Sequence, residues 1–106
     1  MCDYISITGD IADKCPLYTG VFHVTDRMMY GKPVFVNDHG KILYSGGHME
    51  GFHRWYIADK IDEGDTIRST GSPICPEDIR ATLPWQYKDG SEWRDCNASV
   101  VNTNNK

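Results

Sequence analysis

The sequence predicts an all-β domain, an antiparallel meander of about six or seven short strands forming a sandwich or small barrel. Three observations predict it. Apolar residues recur with a period of two, clusters of Asn, Asp and Gly separate the apolar runs, and 106 residues that are 40% hydrophobic and 11% aromatic suffice for one core. The chain therefore reads as a single domain spanning residues 1–106.

The opening strand is "YISIT" at 4–8. Next, Tyr18, Gly20, Phe22 and Val24 alternate with Thr19, Val21, His23 and Thr25, the pattern of a strand with one buried face. "KPVFVNDHGKILYS" reads as a hairpin, because two β-branched and aromatic runs flank Asn37-Asp38-His39-Gly40, residues that tolerate tight turns. Trp55 and Ile57 line one face of a further strand, and "TIRSTG" is short enough to add only a few strand residues. "CPEDIRATLP" predicts a short helical turn near 76–83, with Pro76 at its first position, Glu77 and Asp78 at its positive end and Pro84 as a stop. "WQYKDGSEWRD" predicts a second hairpin, "NASVVN" at 97–102 a closing strand, and "NTNNK" a frayed tail.

Charge excludes some functions. The formal net charge is −4 and the eleven Lys and Arg are scattered, so nucleic acid and anionic membranes are not expected partners. No apolar run approaches the roughly 18–20 residues needed to span a bilayer, and "MCDYISITGD" lacks the regions of a signal peptide. If the protein is secreted, the sequence is expected to be the mature form with an initiator Met.

Cysteine usage points outside the cell. Cys2, Cys15, Cys75 and Cys96 are even in number and lack C-x₂₋₄-C spacing, which favours two disulfides over a zinc ribbon or redox motif. Four cysteines permit three connectivities; Cys2–Cys96 with Cys15–Cys75 is the expected one, because first and last strands of small β domains often lie side by side. The plain alternative is four buried thiols in a cytosolic chain. "NAS" at Asn97 is a permissible glycosylation sequon.

The strings "CDYISITG", "LYTGVFHVT", "YGKPVFVNDHGKILYS", "RWYIADKI" and "LPWQYKDGSEW" resemble a small aromatic-rich β module of extracellular marine-invertebrate and algal proteins. That module runs G-x-Y/F, N-G-R-P-V-Y-like, Y-Y, W-x-I and a closing W…W, and the resemblance covers roughly residues 2–100. It implies an extracellular binding or matrix-forming unit, alone or in a tandem array, and carries no catalytic residues.

Three sets of residues are candidates for chemistry. "GGHMEGFH" places His48 and His53 around Met49 and Glu50, with His39 in the preceding turn and His23 on a neighbouring strand, a set able to ligate zinc or copper. No fixed metal-site spacing is present, so a connecting turn is the plainer account. "ADKIDEGDT" offers Asp59, Asp62, Glu63 and Asp65 to calcium but lacks the alternating acidic pattern of a calcium loop; a solvated turn is the default.

The third set is aromatic. Alternation sends Trp55 and Tyr56 to opposite faces, so one is expected to be exposed unless both faces are covered; Trp55, Tyr56 and Tyr87 are the candidate ligand-binding residues, against the alternative that they are core. Trp85 and Trp93 belong to the same group. No nucleophile elbow, Cys–base pairing or phosphate loop is present.

The expectation is a secreted, non-catalytic recognition or matrix module that binds a glycan or an extracellular protein. The alternatives are a small secreted metal-binding protein using the histidine loop, and an enzyme whose site assembles in space.

Overall fold

The computed structural model describes residues 4–46, 54–61, 63–69 and 85–102. They form one antiparallel sheet of nine strands, curled into a half-barrel. The strands are β1 (Tyr4–Thr8), β2 (Gly20–Met29), β3 (Lys32–Asn37), β4 (Ile42–Gly46), β5 (Arg54–Ala58), β6 (Ile67–Arg68), β7 (Trp85–Asp89), β8 (Glu92–Cys96) and β9 (Ser99–Asn102). Their spatial order is β8-β7-β6-β5-β4-β3-β2-β1-β9. The all-β meander is as the sequence predicts, with nine strands in place of the expected six or seven.

Both predicted hairpins form. β3 and β4 pair through Phe35 opposite Leu43, and β7 and β8 through Tyr87 opposite Arg94. A further two-residue turn, Tyr30-Gly31, joins β2 to β3 with φ of 53° and 78°, the double positive φ of the turn that matches strand twist. The predicted helical turn at 76–83 lies outside the described residues.

Alternation builds two clusters. On the inner face Ile5, Ile7, Phe22, Phe35, Leu43, Trp55, Ile57, Ile67 and Trp85 are buried with Ile11 and Cys15. On the outer face Val34, Tyr44, Tyr56 and Ala58 form a second buried cluster, with Met29, Ile42 and Ile61 packed against it. The middle of the sheet is therefore covered on both sides.

A short helix, α1 (Asp10–Lys14), followed by a 3₁₀ turn at Pro16–Tyr18, links β1 to β2. Five residues are too few to leave a 3.6-residue period, which is why the sequence pattern does not announce it. Acidic Asp10 and Asp13 in its first turn and Lys14 in its last suit the helix dipole, and Ile11 anchors it in the core.

The edge strands β8 and β9 are joined by only two residues, Asn97 and Ala98. A nine-stranded sheet satisfies that link only by curling until its two edges approach at one end. α1 docks at this seam, its Ile11 N–H donating to the Asn97 carbonyl at 3.0 Å.

Candidate binding surface

Register defines the two faces. Phe35, Leu43, Ile57, Ile67, Tyr87 and Arg94 are successive cross-strand partners on the inner face, and Tyr44, Tyr56, Arg68, Gln86 and Asp95 form the matching row on the outer face. The outer row changes character along its length. It starts with the stacked Tyr44 and Tyr56 and ends in a polar relay, in which Arg68 Nε donates to Gln86 Oε1 at 2.7 Å and Gln86 Nε2 to Asp95 Oδ1 at 2.8 Å.

Trp93 stands beside this relay on β8. Lys88 is its cross-strand partner, the Arg68 guanidinium carbon lies 4.3 Å from the Trp93 ring centroid, and Lys88 Nζ lies 5.6 Å from it. Both distances are within cation–π range. The result is a half-buried indole ringed by planar hydrogen-bonding groups and two cations.

A different surface lies at the other end of the sheet. Val101, Ser6 and Val21 are cross-strand neighbours over β9, β1 and β2, and Tyr4 faces His23 in the next row, with ring centroids 6.4 Å apart. Val101 is 51% exposed, Val21 49% and Tyr4 45%. Such adjoining exposed apolar side chains are the kind of patch that marks an interaction site.

The two sheet edges also differ. β8 carries Glu92, Arg94 and Asp95, the charges that protect an edge strand from pairing. β9, Ser-Val-Val-Asn, carries none, and only β1 pairs with it among the described residues.

The structure redistributes the residues singled out in the sequence. Trp55 is fully buried in the inner core and Tyr56 is only 7% exposed in the outer cluster, so neither is the exposed platform that alternation alone suggests. The physical reason is the second cluster: both faces of β5 are covered. Tyr87 is half-buried against the inner core. Trp93, a member of the same aromatic group in the sequence, is half-buried on the outer face beside Arg68 and Lys88.

Of the histidine metal candidates, only His39 and His23 are among the described residues. His48 and His53 lie outside the described residues, His39 sits in the β3–β4 turn, and His23 packs against Tyr4. Among the described residues no group of three or more His, Cys, Asp or Glu is placed to hold a metal ion. The acidic run is committed elsewhere. Asp59 accepts from Lys41 Nζ at 2.8 Å and from the Tyr18 hydroxyl at 2.7 Å, Asp65 accepts from the Tyr44 hydroxyl, Glu63 pairs with Lys60, and Asp62 lies outside the described residues. The Lys41 hydrogen bond first, then that of Tyr18, holds the Asp59 carboxyl below its usual range.

Cys15 and Cys96 both carry free thiols, so neither expected disulfide is formed here; their expected partners Cys75 and Cys2 lie outside the described residues. Asn97 of the sequon is exposed in the β8–β9 link. No helix among the described residues is long and apolar enough to cross a membrane. No family model, curated protein or solved structure matches this chain.

Proposed function

We propose that the protein is a non-catalytic extracellular matrix module that associates with a second copy of itself through the β9 edge and the apolar face beside it. The observation that carries this reading is an uncharged edge strand flanked by exposed Val101, Val21 and Tyr4. A chain of net charge −4 meets its own copy with general repulsion, and β9 is the sheet edge where that contact brings no like charges together. Antiparallel pairing of β9 with its twofold mate is self-complementary, the geometry of an isologous interface. Four residues of edge make a small interface, so the contact is weak singly and effective when repeated.

Sedimentation velocity over a concentration series tests it. The sedimentation coefficient is expected to rise with concentration, and Val101→Lys, which places a charge on the edge, is expected to remain folded and monomeric. A single monomeric species up to the solubility limit would sink the proposal.

A second reading, glycan binding, is favoured by Trp93. An indole bordered by Arg68, Gln86, Lys88 and Asp95 has the stacking surface and planar hydrogen-bonding groups that a sugar ring uses. Titration of tryptophan fluorescence with soluble chito-, xylo- and laminari-oligosaccharides, in the parent protein and in Trp93→Ala, tests this reading. Saturable quenching that Trp93→Ala abolishes supports it; no response to any of them removes it.

A further inference from the structure

The seam of the half-barrel brings together two cysteines that are far apart in sequence. Cys15 caps the C-terminal end of α1, with its N–H donating to the Ile11 carbonyl at 2.9 Å, and Cys96 is the last residue of β8. Ile11 is in turn bonded to Asn97, the neighbour of Cys96, so one turn of helix connects the two positions through the backbone. Both side chains turn inward. Cys15 is buried in the inner core, and Cys96, opposite Trp85 in the β7–β8 register, packs against the same cluster.

We propose that Cys15 and Cys96 are the site of a disulfide that clasps the C-terminal end of α1 to the end of β8 at the seam. This connectivity differs from the expected Cys2–Cys96 and Cys15–Cys75 pairs. The two thiols are close enough for charge on Cys96 to raise the Cys15 thiol, after the larger effect of burial. Burial, the largest influence, also raises the Cys96 thiol. Raised thiols are poor nucleophiles at neutral pH, which fits a bond made once during maturation better than a reversible catalytic pair.

Access favours Cys96 as the first to react. It is the less buried of the two and borders a cavity of about 530 Å³ lined by Asp10, Asp13, Lys14, Asp95, Cys96 and Asn97. The oxidant is a small disulfide such as oxidised glutathione, or a protein disulfide donor. The Cys96 thiolate attacks one of its sulfurs, forming a mixed disulfide and expelling one thiolate. The Cys15 thiolate then attacks Cys96 Sγ and expels the second. The Sγ–Sγ bond forms, the donor's S–S bond breaks, and two electrons and two protons leave as two donor thiols.

The effect follows from where the bond sits. A cross-link between α1 and β8 encloses most of the chain, and long enclosed loops restrict the unfolded state most. Reducing it is expected to lower the thermal midpoint on the order of 10 °C or more.

The test is a peptide map of the full chain refolded in a mixture of reduced and oxidised glutathione, alkylated, and digested with trypsin without reduction. Cleavage after Lys14, Arg27 and Arg94 gives peptides 15–27 and 95–106, each with one cysteine. Their linked mass, lost on dithiothreitol treatment and present also in the Cys2→Ser/Cys75→Ser double variant, is the expected result. Cys15 linked to Cys75, Cys96 linked to Cys2, or both peptides alkylated after oxidation would each overturn the proposal. None of these outcomes depends on self-association or glycan binding.

Discussion

Tyr44 and Tyr56 face each other across β4 and β5 with ring centroids 5.8 Å apart and planes 29° from parallel, on the side of the sheet away from the main core. The Tyr44 hydroxyl reaches Asp65 at 2.8 Å, so the stack is tied at one end to the segment after β5. This pair is the centre of the second cluster, and it explains why β4 and β5 read as almost continuously buried, not as alternating in and out.

Removing half of that stack should be costly. Tyr56→Ala is expected to destabilise the protein by about 3–5 kcal/mol, as for other large buried aromatic truncations, in denaturant unfolding followed by tryptophan fluorescence. Tyr56→Phe keeps the ring and should cost much less. A change under about 1 kcal/mol in the alanine variant would place Tyr56 on the surface.

Asn37 is the other residue on which the fold is tightly dependent. It is buried at the end of β3, where Nδ2 donates to the carbonyls of Leu17 and Thr19 while Oδ1 accepts from the amides of His39 and Lys41. One side chain thus shapes the β3–β4 turn and fastens it to the segment before β2. Asn37→Ala should cost about 2–4 kcal/mol by stranding several backbone groups, and Asn37→Asp should also destabilise, because it lacks the two donors. Equilibrium unfolding of both variants checks this, and a neutral aspartate would show that the acceptor bonds alone matter.

These two residues mark what the sequence could and could not reveal. The "NDHG" and "KDGS" turns were legible because Asn, Asp and Gly act locally, and both hairpins formed around them. That Trp55 and Tyr56 point to opposite faces was equally legible. Their exposure was not, because burial of the outer face depends on Val34 of β3, Ile42 of β4 and Ile61 beyond β5 gathering with Ala58 of β5 itself. The proximity of Cys15 and Cys96 likewise arises from closure of the sheet, which no spacing encodes. Trp93 was visible only as one aromatic among several until the register set it beside Arg68 and Lys88.

The Tyr18–Asp59–Lys41 cluster should give stability a defined pH dependence. The Asp59 carboxyl is lowered from 3.8, chiefly by the Lys41 hydrogen bond, so its contribution is present above that value and lost as pH falls through the lowered one. Lys41 is raised from 10.5, first by its bond to Asp59, so its contribution is complete below 10.5 and lost as pH rises through the raised value. The difference in thermal midpoint between the parent and Asp59→Asn should therefore be level between those limits and shrink beyond both. All three groups are near solvent, and high salt should also reduce it. A difference unchanged by acid would show that the carboxylate charge contributes nothing.

Ser45 offers a prediction of opposite sign. Its side chain is fully buried opposite Trp55, and its hydroxyl has no hydrogen-bond partner among the described residues. Desolvating an unpaired hydroxyl is a cost carried by the folded state alone. Ser45→Ala removes it with little change in volume and should be neutral or stabilising by about 1–2 kcal/mol in chemical denaturation. A clear loss of stability would mean that the hydroxyl is bonded to a group outside the described residues.

The seam itself can be loosened at Gly9. This residue precedes α1 with φ 95° and ψ −161°, a conformation that side-chain-bearing residues rarely adopt. A Cβ there would also come within 3.2 Å of the Ser99 amide nitrogen, a backbone atom that moves only if the β8–β9 link moves with it. Gly9→Ala should therefore cost about 1–3 kcal/mol, and the loss should be local before it is global. Amide exchange distinguishes the two. The Ile11 N–H, bonded to the Asn97 carbonyl across the seam, should exchange faster in the variant while amides of the β4–β5 pair keep their protection relative to global unfolding. Uniform acceleration at every amide would instead show that the seam opens only when the whole sheet does.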